Sequence, residues 1–172
     1  MVQLHGTGMS DPLSQEVDAF VHHEARLLDE CRYAEWVDLF LPDARYWVPV
    51  SIEQRDPMDG PSHFHDDIQV LKARTHRLAN PRAFGAEPSP RTAHIVSGVR
   101  VDRTMDDGAL VVSSTQIMLE YRNRGGFEAD QRMFGGRVTH LLRRMPEGLR
   151  IARKRVDLIN AEGPFNAMAA PI

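Results

Sequence analysis

The stretch Glu24–Val50, EARLLDECRYAEWVDLFLPDARYWVPV, constrains the fold more than any other part of the chain. Its apolar positions first recur every three to four residues and then every two. It reads as a helix, a second short helix carrying Tyr33 and Trp36, a stop at Pro42-Asp43, and an aromatic-rich strand over Arg45–Ile52. Helices that carry an apolar stripe and lead directly into strands must be stacked on a sheet, which gives an α+β layout.

The flanks extend the pattern. Asp11 or Ser14 can cap the first helix, and Pro12 suits an early helical position. Val17, Phe20, Val21, Ala25 and Leu28 form its buried stripe, with Glu24 inside it. Tyr33, Trp36, Val37 and Phe40 repeat the spacing on the second helix. Pro49 cannot donate to a ladder, which places the following strand at the periphery. Residues 53–64 read as loop, Asp66 and Asp67 as the start of a third helix, and Ile68, Leu71, Thr75 and Leu78 as its inner face. Residues 80–90 are too rich in Pro and Gly for regular structure.

Beyond residue 90 the period becomes two. Val99 and Val101 alternate with Arg100 and Asp102, and Asp107-Gly108 marks a turn. Val111, Ser113, Thr115, Ile117, Leu119 and Tyr121 share one face of a long strand. Arg122–Gly126 turns, Phe127–Arg144 is a second long strand with a bulge or bend at Gly135-Gly136, and Leu149–Ile159 returns after Pro146–Gly148. Helices followed by a long bent meander make a cone, the order of elements in the nuclear-transport-factor-2-like (NTF2-like, cystatin-like) fold. The 172 residues are expected to form one such domain, 1–172, with tails at 1–10 and 160–172.

Composition removes whole classes of function. A formal net charge of −3 argues against a nucleic-acid binder. No apolar run reaches the ~20 residues that span a bilayer, and the N-terminal residues lack a secretory pattern. A single cysteine rules out an internal disulfide. Together these place the chain in the cytoplasm.

Four segments carry a family resemblance: Glu24–Asp29 with Tyr33–Trp36 and Tyr46-Trp47; Arg91–Ser97; Arg137-Val138 through Leu141–Arg144; and Gly148–Leu158. In that order they resemble the small (β) subunit of Rieske-type aromatic-ring-hydroxylating dioxygenases, over roughly residues 15–160. The resemblance implies a cone-shaped support subunit that assembles with catalytic α subunits and other β subunits, commonly as α3β3. The Rieske [2Fe–2S] cluster, the mononuclear Fe(II) and the substrate pocket would lie on the α subunit. It implies no catalytic, cofactor-binding or metal residue in this chain, which by itself would be inactive. The complex would add both atoms of O2 to an aromatic ring with electrons from NAD(P)H. Many relatives end in an aromatic-rich segment, whereas this chain ends EGPFNAMAAPI, so no docking role is carried over to its C-terminus.

The residues themselves agree with that expectation. A Rieske centre needs two Cys and two His, and the chain holds only Cys31. His63-Phe64-His65-Asp66-Asp67 has the donors of a two-His, one-carboxylate iron site, but a helix start already accounts for both aspartates. His22 and His23 diverge by about 100° on a helix and cannot chelate one ion. The competing reading is a stand-alone isomerase or dehydratase of the same fold, with Glu24, Asp38, His94 or His140 as acid or base inside the cone. Against it, His94 and His140 suit hydrogen-bonded sheet positions, Asp38 suits solvent, and Glu24 suits an ion pair with Arg153 or Arg155. The arginines of the last strands, notably Arg143, Arg144 and Arg153, suit a subunit interface, where arginine is enriched.

Overall fold

The computed structural model describes residues 11–80, 90–122, 130–163, 168 and 170–172. The expected N-terminal tail, the Pro/Gly-rich 81–89 and the turn at 123–126 fall outside them. Three helices, α1 (Pro12–Asp29), α2 (Tyr33–Asp38) and α3 (Ile68–Ala79), pack on one six-stranded sheet. Its strands are β1 (Phe40–Pro49), β2 (Ser62–Asp67), β3 (Arg91–Thr104), β4 (Leu110–Arg122), β5 (Asp130–Met145) and β6 (Gly148–Leu158). They run in the order β2-β1-β6-β5-β4-β3, and every pairing is antiparallel except β1 with β6.

α1 starts where the sequence placed it. Asp11 is its N-cap by position, with Pro12 in the first turn, although only the Asp11 carbonyl, and not its side chain, accepts a hydrogen bond there. Val17, Val21, Ala25 and Leu28 are buried, joined by Leu27 and Glu24. Cys31 adopts φ 56°, a left-handed turn that is uncommon for a residue with a side chain. That turn reverses the chain between α1 and α2.

Three expectations are corrected around β1. The second helix ends at Asp38, and Phe40 already opens the strand, so Pro42 lies within β1 rather than ending a helix. Pro42 is tolerated because β2 pairs only from Arg45 onward and the register with β6 is broken between Phe40 and Arg45. β1 is also an interior strand, flanked by β2 and β6; Pro49 sits at its last position, where the register shifts. Lastly, Ser62–Phe64 is not loop but the start of β2, held by Trp47 Nε1 donating to Ser62 Oγ at 2.9 Å. The connection between them is tied down by buried Gln54, whose Oε1 accepts from Val50 and Ser51 N–H.

Asp67 caps α3, accepting from the N–H groups of Gln69 and Val70 at 2.9 Å each. Asp66, also expected at the helix start, instead turns inward and takes a two-pronged contact from Arg74 at 2.7 and 3.1 Å. Arg74 in turn lies 4.5 Å over the Phe64 ring. The aromatics of the opening stretch stack into the core: Trp36 meets Phe40 and Tyr46 edge-on at 5.1 and 6.0 Å, and Tyr46 meets Phe64 at 5.6 Å. Ala170 and Ile172 are buried as well, and Ile172 N–H donates to Tyr46 Oη at 3.1 Å.

In β4 and β5 the even-numbered residues face the helices. Val112, Met118, Phe134, Val138 and Leu142 are all buried on that side. Gly135-Gly136 is not a bulge, since β4 and β5 pair without a register break from Leu110 to Arg122. Gly136 is needed for closeness: a Cβ there would stand 2.2 Å from the Asp157 carbonyl oxygen. The register breaks of the meander fall in β3, after Ser97 and after Val101, and between β5 and β6 at Leu141/Leu142. Gly98, at φ 63°, supplies the left-handed residue of the first.

Candidate functional site

The inner face gathers charge at three places. The deepest joins Glu24 of α1, Trp36 of α2, His140 of β5 and Lys154 of β6, all 0% exposed. Glu24 Oε1 accepts from Lys154 Nζ at 2.7 Å and from Trp36 Nε1 at 3.1 Å, while Oε2 meets His140 Nε2 at 2.8 Å. A carboxylate only accepts, so His140 Nε2 carries the proton. His140 Nδ1 is buried with no partner among the described residues. Burial alone would push the Glu24 carboxyl up, but the charges of Lys154 and His140 and their hydrogen bonds outweigh it and hold it well below the usual carboxylate range.

Glu24 is therefore paired as the sequence suggested, but with a different residue. Arg153 and Arg155 point to the outer face, and the residue between them, Lys154, points in. Strand alternation decides this, and the sequence alone does not say which parity faces the helices. A carboxylate already held by three donors and kept strongly acidic by two cationic partners is a poor general base.

The second cluster couples α1 to β3. Asp29 accepts from His94 Nδ1 at 2.6 Å, from the His94 N–H at 2.8 Å and from Thr92 Oγ1 at 2.9 Å. These bonds hold Asp29 below its ordinary value in spite of its partial burial. His94 is thus the hydrogen-bonded sheet histidine expected of it. In the third cluster Glu120 Oε1 accepts from Arg122 Nε at 3.0 Å and from Arg132 Nε at 3.1 Å. Sequence reasoning missed Glu120, because the chain alone does not show that the even-numbered residues of β4 face the helices.

The remaining candidates are dispersed. Asp38 is exposed, as expected, and with Cys31 it borders a groove of about 430 Å3 between α2 and α3. His63 and His65 share one face of β2, but His63 Nε2 is bonded to the Ala161 carbonyl at 2.8 Å, and no group of metal-holding side chains gathers among the described residues. His22 and His23 make separate contacts, with the Asp18 carbonyl and with Arg26. A Rieske cluster does not fit this chain, whose one thiol stands exposed in a turn. No described helix is long and apolar enough to cross a membrane.

The three arginines expected at a subunit interface differ. Arg143 pairs with Asp107 at 2.8 Å, and Arg144 grips Glu16 through both nitrogens at 2.8 and 2.6 Å. Arg153 is exposed, and its side chain makes no ion pair or hydrogen bond among the described residues.

Three helices on a curved, mostly antiparallel sheet, with buried polar clusters between them, define an NTF2-like α+β protein. The family model described as ring hydroxylating beta subunit matches residues 23–162, and the chain belongs to that family. It is 33% identical over 140 residues to the benzene 1,2-dioxygenase subunit beta of Pseudomonas putida, covering 77% of this chain and 73% of the relative. It is 32% identical over 157 residues to the anthranilate 1,2-dioxygenase small subunit of Acinetobacter baylyi, covering 88% and 93%. In fold it matches the crystal structure of the benzoate 1,2-dioxygenase beta subunit from Burkholderia mallei with a TM-score of 0.69, at 23% identity, over 92% of this chain and 97% of that one.

Proposed function

We propose that this chain is the support subunit of a multicomponent aromatic-ring-hydroxylating dioxygenase, assembling in the cytoplasm with Rieske-type α subunits and further β subunits as α3β3. The observation that carries the reading is the family match across residues 23–162, which takes in the C-terminal part of α1, all of α2 and α3, and all six strands. The α subunit would hold the Rieske cluster, the Fe(II) and the aromatic substrate. This chain would supply shape and contacts, and alone it would neither bind iron nor turn over substrate. The site geometry favours this over a stand-alone isomerase or dehydratase, because Glu24 is held by three internal donors and His94 and His140 each hold a buried or half-buried carboxylate through one ring nitrogen.

The test is co-expression with the Rieske-type protein encoded beside it, with a tag on this chain alone. Native mass, iron content and visible absorbance are then read on the purified material. A large, brown, iron-containing hetero-oligomer is expected, with this chain colourless when produced alone. A colourless oligomer of this chain that retains no partner would overturn the reading.

A further inference from the structure

The outer face of the sheet carries a groove that shares only His140 with the buried clusters. Register aligns Arg45, Arg153, Leu141, Val111 and Arg103 in one cross-strand row over five strands. The adjacent row runs Arg155, Thr139, Ser113, Arg100. Each row is thus basic at its ends and neutral or apolar in the middle. Three strand spacings separate Arg153 from Arg103, about 14 Å. Between them lies a cavity of about 350 Å3, lined among others by Arg103, Met105, Val111, Leu141, Arg153 and Arg155.

The arginines are not equivalent. Arg155 is fixed: it pairs with Asp157 at 2.7 Å, donates to the Gln54 carbonyl at 2.8 Å and lies 4.3 Å over the Trp47 ring. Arg100 pairs with Asp102. Arg103 and Arg153 are exposed, and their side chains make no ion pair or hydrogen bond among the described residues. Arg103 reaches this face because of the second register break in β3; without it, Arg103 would share the inward parity of Val101.

We propose that this groove docks the Rieske-type subunit, through a segment that sets carboxylates against Arg103 and Arg153 and an apolar side chain on the Met105–Val111–Leu141 floor. The proposal rests on the assembly reading above. Two unpaired guanidinium groups flanking an apolar floor complement an acidic, partly apolar protein segment. A second copy meeting this face about a two-fold axis would bring like charges together.

The test uses the co-expressed complex. Met105→benzoylphenylalanine places a photo-cross-linker on the groove floor while keeping both arginines. In parallel, Arg103→Glu/Arg153→Glu reverses both charges, and Arg103→Ala/Arg153→Ala removes them, with unchanged circular dichroism and melting as the folding control. Expected are a cross-link to the Rieske-type subunit and binding weakened at least about tenfold by the reversal, less by the alanines. A cross-link only to another copy of this chain, no cross-link, or full retention by the reversed variant would overturn the proposal while a wild-type complex still upheld the assembly reading. If even the wild-type chain retains no Rieske-type subunit, both fall.

Discussion

Lys154 Nζ stands 2.7 Å from Glu24 Oε1, and this single contact ties the first helix to the last strand across 130 residues of sequence. Both groups are fully buried, so neither can exchange its partner for water. Removing one leaves the other charged and dry, which costs about 3–5 kcal/mol, whereas replacing both with apolar groups of similar shape is far milder. Glu24→Ala is expected to lower the unfolding free energy read from urea titration by that amount. Glu24→Leu with Lys154→Met is expected to be less destabilised than either single change. A double change as damaging as the sum of the singles would mean the two residues are not coupled.

The same pair sets the acid limb. The Glu24 carboxyl is held below its ordinary 4.5, and Asp29 below its ordinary 3.8. A carboxylate whose folded-state pKa is depressed contributes stability above its unfolded-state value and loses it as pH falls through the folded one. Stability is therefore expected to hold level above pH 4.5 and to fall steadily below it. Urea midpoints from neutral to acid pH check this. In Asp29→Asn the acid slope is expected to be shallower, and an unchanged slope would remove Asp29 from the account.

The neighbouring glycines of β5 make opposite predictions. A Cβ on Gly136 would meet the Asp157 carbonyl oxygen at 2.2 Å and Leu158 Cα at 2.9 Å, all backbone that cannot rotate away. A Cβ on Gly135 meets Ile117 Cγ1 at 3.6 Å and the Gln116 carbonyl oxygen at 3.8 Å, both ordinary contacts. Gly136→Ala is expected to destabilise by about 3 kcal/mol or more through overpacking. Gly135→Ala should lie within about 1 kcal/mol of wild type. Melting temperatures of the two variants compare them directly.

Asp67 and Asp66 are adjacent but serve different ends. Asp67→Ala removes the two acceptor contacts that begin α3 and is expected to destabilise by about 1 kcal/mol, with Asp67→Ser restoring most of it. Asp66→Ala instead leaves Arg74 over Phe64 without its carboxylate, and serine in its place restores nothing. Thermal unfolding of the four variants separates a cap from an ion pair.

The order of elements was legible from periodicity: the stripe Val17–Val21–Ala25–Leu28, the aromatic run into β1, and the two-residue alternation beyond residue 90 all stand in the structure. So was the inability to hold a Rieske cluster, which follows from counting cysteines. Local chemistry determined these, because they depend on neighbours in the chain. Prolines misled where tertiary pairing intervened: Pro42 fits inside β1 only because its strand partners skip that stretch, and Pro49 tolerates an interior strand only at its end. Which of Arg153, Lys154 and Arg155 meets Glu24, why Gly136 must lack a side chain, and how Arg103 comes to face Arg153 across the outer sheet were decided by the tertiary structure alone. Each depends on strand register, and a one-residue slip, or one bulge, turns a side chain from the core to the surface.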